Sequence, residues 1–142
     1  MSEKITFVIP GDPPRVTAQE KGQNRATGAY YKPQKLRDAE DLYYLSALAH
    51  RPPRPIQGPV ELRVVFAFRA GESHRGGEYK TTKPDTDNMI KALKDMLTRA
   101  GYWKDDAQVA VETVIKLWRT IPGIQITVTE LPKMAEVGRE DS

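Results

Sequence analysis

Between Lys83 and Val109 the chain sets acidic residues on both sides of a short helix pattern, and this stretch limits the sequence more tightly than any other. It opens Lys83-Pro84-Asp85-Thr86-Asp87-Asn88-Met89-Ile90-Lys91 and closes Tyr102-Trp103-Lys104-Asp105-Asp106-Ala107-Gln108-Val109. Ahead of the helix the segment reads as extended, so Asp85 and Asp87, two residues apart, point to one side. From about Asn88, Ile90, Leu93, Leu97 and Ala100 recur at helical spacing and form an apolar stripe. Lys91 follows Asp87 by one turn, which sets its ammonium beside the carboxylate pair. Ala100-Gly101 ends the helix, and Asp105-Asp106 stand before a strand-like run from Val109 to Leu117. If that strand packs against the helix, a later aspartate returns to the first pair.

Three ionised carboxylates at close range raise one another's pKa, and a divalent cation removes the conflict. A few hard oxygen donors suit Mg²⁺, with Mn²⁺ as the alternative. Zinc asks for Cys or His, and the chain has no cysteine and only His50 and His74. An EF-hand loop is excluded because Ile90 and Met96 stand where it needs Gly and Glu. The competing use of the same residues is structural: Asp, Thr and Asn cap helices, and Asp-Asp makes turns. Crowding predicts that Asp106→Asn stabilises the metal-free protein, whereas capping predicts a loss for Asp85→Ala.

At 142 residues the chain suits one compact domain. Ile5, Phe7 and Ile9 alternate as a first strand, and a helix from about Gln34 to His50 carries Leu36, Ala39, Leu42, Tyr43, Leu45 and Ala47 on its apolar flank. Arg51-Pro52-Pro53-Arg54-Pro55 stops that helix. Val60, Leu62, Val64, Phe66 and Phe68 alternate as a second strand. After the acidic helix, Val109–Trp118 and Ile124–Thr129 read as an antiparallel pair joined through Pro122-Gly123. The order β-α-β-α-β-β predicts an α+β domain, residues 1–133, with two helices packed on a mixed sheet and a frayed tail over 134–142. The strand after Asp106 is apolar on both faces. Either it is central and covered twice, or one face meets a second subunit in a two-fold dimer with two opposed sites.

The net charge is +3, so distribution says more than the total. Arg15, Lys21, Arg25, Lys32, Lys35 and Arg37 crowd one long loop and the start of the first helix. Arg69, His74, Arg75, Lys80 and Lys83 lead directly into Asp85. Both stretches read as mobile basic loops that a nucleic-acid backbone would order. His50 and His74 are minor candidates for proton transfer. No apolar run is long enough to cross a bilayer and the start lacks a signal-peptide pattern, so cytoplasmic residence is expected.

Taken together, the Lys83–Lys91 and Trp103–Val109 motifs resemble the RusA family of Holliday junction resolvases, often carried by phages and prophages. Ile9-Pro10-Gly11-Asp12-Pro13, Tyr31-Lys32-Pro33 and Gly58-Pro59-Val60 are similar as well, so roughly the first 130 residues are covered. The resemblance implies catalytic carboxylates at Asp85, Asp87 and Asp106, with Asp105 the weaker candidate beside the last, and a catalytic-site lysine at Lys91. It also implies a homodimeric Mg²⁺-dependent endonuclease that nicks four-way DNA junctions symmetrically. The chain departs from the family in its basic loop, where Arg15 to Arg25 replaces a compact Arg-Pro-Arg run. Two other readings remain open: a branched-DNA-binding module without catalysis, and a nuclease of the same chemistry acting on flaps or forks.

Overall fold

The computed structural model describes residues 3–15, 22–23, 30–31 and 34–137. Its elements are β1 (Lys4–Pro10), β2 (Gly22–Gln23), β3 (Tyr30–Tyr31), α1 (Gln34–His50), β4 (Val60–Arg69), α2 (Thr86–Ala100), a 3₁₀ turn (Asp106–Gln108), β5 (Val109–Arg119) and β6 (Gly123–Glu130). Apart from the short β2–β3 ribbon, which the sequence did not announce, this is the expected α+β order. Residues 134–137 carry no helix or strand, and the rest of the expected tail lies outside the described residues.

Four strands form one mixed sheet in the order β1-β6-β4-β5. β4 pairs antiparallel with β6 and parallel with β5, so β5 and β6 flank it rather than pairing with each other. The expected β5–β6 hairpin is therefore corrected. Strands two places apart lie about 10 Å from each other. The four peptide units from Arg119 to Gly123 reach roughly 13 Å, enough to pass over the end of β4. The signal for a central β4 is its composition: Val64, Val65, Phe66, Ala67 and Phe68 are all buried, an apolar run instead of an alternation.

One face of the sheet holds the core. Leu62, Val64, Phe66 and Phe68 of β4 meet Ile124, Ile126 and Val128 of β6, Phe7 and Ile9 of β1, and the buried stripe of α2. That stripe contains Ile90, Leu93, Leu97 and Ala100 as expected, with Met89 and Met96 added. α1 is more exposed than its pattern implied: Tyr43 and Ala47 are buried, while Leu42 and Leu45 face outward. The phenol of Tyr102 donates to Ala47 O at 2.7 Å, which locks the α2 exit against α1. Its burial pushes the phenol pKa up.

α2 ends by a left-handed residue. Gly101 has φ 91°, its N–H donates to Thr98 O and the Tyr102 N–H donates to Leu97 O. This conformation suits glycine. Beyond it the chain runs through Trp103, 1 % exposed, into the 3₁₀ turn and back along β5.

Candidate nuclease site

Asp85 occupies the N-cap position of α2 but makes no side-chain capping bond. The capping use of this residue is thus absent, and its exposed carboxylate is left to other partners. Asp85 itself is extended, but α2 begins at Thr86, so Asp87 already lies in the first helical turn. The alternating extended geometry expected for the pair is replaced by a helix start, where negative charge is favoured by the dipole. Lys91 lies one turn past Asp87 and is exposed. Among the described residues, none of these three side chains takes part in a hydrogen bond or ion pair.

At the far end of α2, Asp105 and Asp106 do different work. Asp105 caps the 3₁₀ turn: its Oδ1 accepts from Ala107 N–H at 2.9 Å, while Gln108 Oε1 accepts from Lys104 and Asp105 N–H. The Gln108 amide donates in turn to Ile56 O and Gly58 O at 2.8 and 3.0 Å. Gln108 therefore pins the turn to the approach of β4, the structural reason for a glutamine three residues after Asp105. Asp106 is exposed and engaged in none of these bonds. It opens onto a depression of about 480 Å³ lined by Asp95, Arg99, Lys104 and Asp105.

The two acidic groups do not meet within one chain. Among the described residues no group of three or more His, Asp or Glu is close enough to hold a metal. α2 is 15 residues long and separates them by about 22 Å along its axis. β5 runs antiparallel to it on the sheet, so Asp106 stays at one end and Asp85 at the other.

Of the basic residues, Arg15, Arg69, Arg75 and Lys83 are exposed, whereas Lys21, Arg25 and Lys32, and the side chain of Lys35, lie outside the described residues. Lys80 is 4 % exposed. Its ammonium lies 4.3 Å from the Trp118 ring centroid and 5.0 Å from that of Phe68, and donates to Thr82 Oγ1 at 2.6 Å. Burial, with repulsion from Arg15 and Lys116, lowers its pKa. That location withdraws Lys80 from the exposed surface, where the sequence pattern places it. The loop expected to be free is laid on β5 instead, through Gly77 N–H to Trp118 O and Lys80 N–H to Lys116 O.

Lys116 was not anticipated. Its Nζ donates to Thr82 O at 2.7 Å and Pro84 O at 2.8 Å, directly before Asp85. A lysine on a strand read as apolar gave the only hint. His74 stacks on Trp118 at 4.2 Å and His50 on Phe7 at 4.7 Å, so both rings have packing roles.

β5 is an edge strand. It is not central, so that explanation of its two apolar faces is set aside. The loop 77–80 covers its outer edge only near Lys116–Trp118. Over Val109–Ile115 that edge carries no strand among the described residues, and Val111 is 42 % exposed.

A small α+β domain with exposed carboxylates at both ends of a helix, and basic residues leading into them, has the parts of a phosphodiester-cleaving protein. The chain matches the family of endodeoxyribonuclease RusA over residues 10–129, and it belongs to that family. It is 28% identical over 134 residues to the crossover junction endodeoxyribonuclease rusA of Lactococcus phage r1t, covering 90% of this chain and 99% of that protein. It is 30% identical over 139 residues to YqaN of Bacillus subtilis (strain 168), an uncharacterized protein, covering 89% and 96%. A 48-residue segment is 48% identical to crossover junction endodeoxyribonuclease RusA of Escherichia coli (strain K12), covering 33% of this chain and 40% of that protein. No helix of the described residues is long and apolar enough to cross a membrane.

Proposed function

We propose that this protein is a homodimeric, Mg²⁺-dependent endodeoxyribonuclease that resolves four-way DNA junctions by paired symmetric nicks, with each metal site built from two chains. One observation carries the reading: among the described residues Asp85 and Asp87 stand unused at one end of α2, Asp106 stands unused at the other, and the edge of β5 is open over Val109–Ile115. The family membership and the names of the phage and bacterial relatives support junction cleavage as the activity.

Antiparallel pairing of β5 with β5 of a second copy, centred on Val111, would use the open stretch of each edge and carry residue 106 of one chain toward Lys80, which lies opposite Lys116 on the other. Lys116 binds Pro84 O at that end of β5, so such pairing would bring Asp106 of one copy toward the partner's Asp85 and Asp87. The operation is two-fold, and it creates two equivalent sites of opposed orientation. It also occupies the unpaired edge, which otherwise invites promiscuous strand addition.

The donor set fits Mg²⁺, and Mn²⁺ as well: carboxylate oxygens, few in number, exposed and unpaired. When bound, the cation polarises a phosphate oxygen and lowers the pKa of water. Asp85 and Asp87 of one chain and Asp106 of the other would hold it. Asp105 is committed to the turn. Lys91 places a positive charge one turn from Asp87, where charge builds on the phosphoryl oxygens. Arg15, Arg69, Arg75 and Lys83 neutralise flanking phosphates, so binding weakens steeply with salt. The test is cleavage of a synthetic four-way junction alongside flap and fork substrates. Mg²⁺-dependent nicking of the junction that disappears in Asp85→Asn, with binding retained, is expected. Binding without any cleavage indicates a non-catalytic module, and preference for flaps or forks reassigns the substrate.

A further inference from the structure

The orientation of Asp85 is set by the two peptide groups that flank its Cα. The carbonyl of Asp85 accepts the N–H of Met89 at 3.2 Å, the first bond of α2. The preceding carbonyl, Pro84 O, accepts from Lys116 Nζ at 2.8 Å, and the same ammonium binds Thr82 O at 2.7 Å. With both peptide planes held, φ and ψ of Asp85 are −75° and 146°, which sets the direction of its Cα–Cβ bond. The side chain itself contributes nothing, because it makes no capping bond. Lys116 is therefore a tertiary contact that holds the backbone from which the Asp85 side chain projects.

A second feature makes this arrangement a defined device rather than a stray surface contact. Lys116 projects from the helix-facing side of β5, in register with Phe66. Below it, Lys80 is sealed under Phe68 and Trp118 and holds the Thr82 hydroxyl at 2.6 Å. Thr82 is thus gripped through its hydroxyl by one ammonium and through its carbonyl by another. Neither ammonium has a carboxylate partner within salt-bridge distance among the described residues, so neither is tied up in an ion pair.

We propose that Lys116 is a positioning residue for the metal site: it orients Asp85 through the Thr82 and Pro84 carbonyls and offsets carboxylate repulsion there. This rests on the reading of Asp85 as a metal ligand. Outer groups that orient ligands commonly change metal affinity by about 10- to 100-fold when removed. A lysine serving only to anchor the loop would change melting temperature equally with and without metal.

The full-length protein, Lys116→Met, Lys116→Arg and Asp85→Asn decide the matter, each measured for junction affinity without divalent metal, Mg²⁺-induced rise in melting temperature, and single-turnover cleavage against Mg²⁺. For Lys116→Met, junction affinity is expected within about twofold of wild type, while both Mg²⁺ midpoints rise by about tenfold or more. Lys116→Arg, which keeps charge and donors, is expected to recover most of that shift. Wild-type Mg²⁺ midpoints in Lys116→Met overturn the proposal, as does an equal loss in both variants. If Lys116→Met does not fold, Lys116→Gln takes its place with the same readings. Asp85→Asn separates the two claims: if it keeps both Mg²⁺ responses, the ligand reading itself fails. If it abolishes them while Lys116→Met leaves them intact, the ligand reading stands and the role of Lys116 falls.

Discussion

Asp85 precedes the first residue of α2 and Asp106 opens the turn beyond its last, so all 15 residues of the helix stand between two carboxylates that one metal would need together. A helix of that length is rigid and its apolar stripe is fixed in the core. No local rearrangement brings its ends into contact. In the proposed dimer, a two-fold axis perpendicular to β5 at Val111 would bring the two ends toward each other without moving either.

The edge of β5 is where association is tested. A charge at the two-fold position meets its own copy across the axis, and like charges directly opposite are unfavourable. Val111→Lys is expected to weaken dimerisation by about tenfold or more, or at least ~1.4 kcal/mol. Analytical ultracentrifugation should show the shift to monomer, with cleavage lost in parallel.

Asp105 and Asp106 should separate by stability. Asp105→Ala removes the cap of the 3₁₀ turn and is expected to cost about 1 kcal/mol with or without Mg²⁺. Asp106→Asn is expected to raise the melting temperature of the metal-free dimer by relieving repulsion, and to leave the Val111→Lys monomer unchanged. Thermal melts of wild type, the Asp105→Ala, Asp106→Asn and Val111→Lys variants, and the Val111→Lys/Asp106→Asn double variant provide the comparison.

Gln108 ties the turn to Ile56 and Gly58 while accepting two backbone N–H groups. Gln108→Ala leaves those groups without partners and is expected to cost roughly 2 kcal/mol in denaturant unfolding. Activity should fall as well, because Asp106 loses the support of its turn.

Glu78 supplies a pH dependence away from the site. The Arg75 N–H and the His74 ring hold its carboxyl below the ordinary value of 4.5. With the folded pKa depressed, this stabilisation is fully present above that value and is lost as the pH falls through the folded one. The stability difference between wild type and Glu78→Gln is therefore expected to be flat near neutrality and to shrink in acid. Urea titrations at a series of pH values measure it.

Local patterns carried the fold far. The stripe of Ile90, Leu93, Leu97 and Ala100 placed α2, and Gly101 placed its end. Pairing was harder, because Pro122-Gly123 looks like a hairpin turn whether the chain folds back beside β5 or crosses the end of β4. The run Val64–Phe68, buried on both faces, was the overlooked sign that β4 takes the centre. At the site, carboxylates are legible because their chemistry is rare in such clusters. The carbonyl contacts of Lys116 are not, since any lysine can make them and only the tertiary fold decides. The split of Asp85 from Asp106 was hidden for a related reason: a motif gives order along the chain, while helix length sets distance.

Mixing Asp85→Asn with Asp106→Asn tests the central claim most directly. Each variant alone is expected to be inactive. If sites form between chains, a mixed dimer contains one site with both defects and one with neither, so random exchange restores roughly a quarter of the wild-type sites. Junction cleavage should return on mixing, as single nicks. If each site lies within one chain, every site in the mixture keeps a defect. A mixture as inactive as its components, with subunit exchange confirmed, would contradict the account.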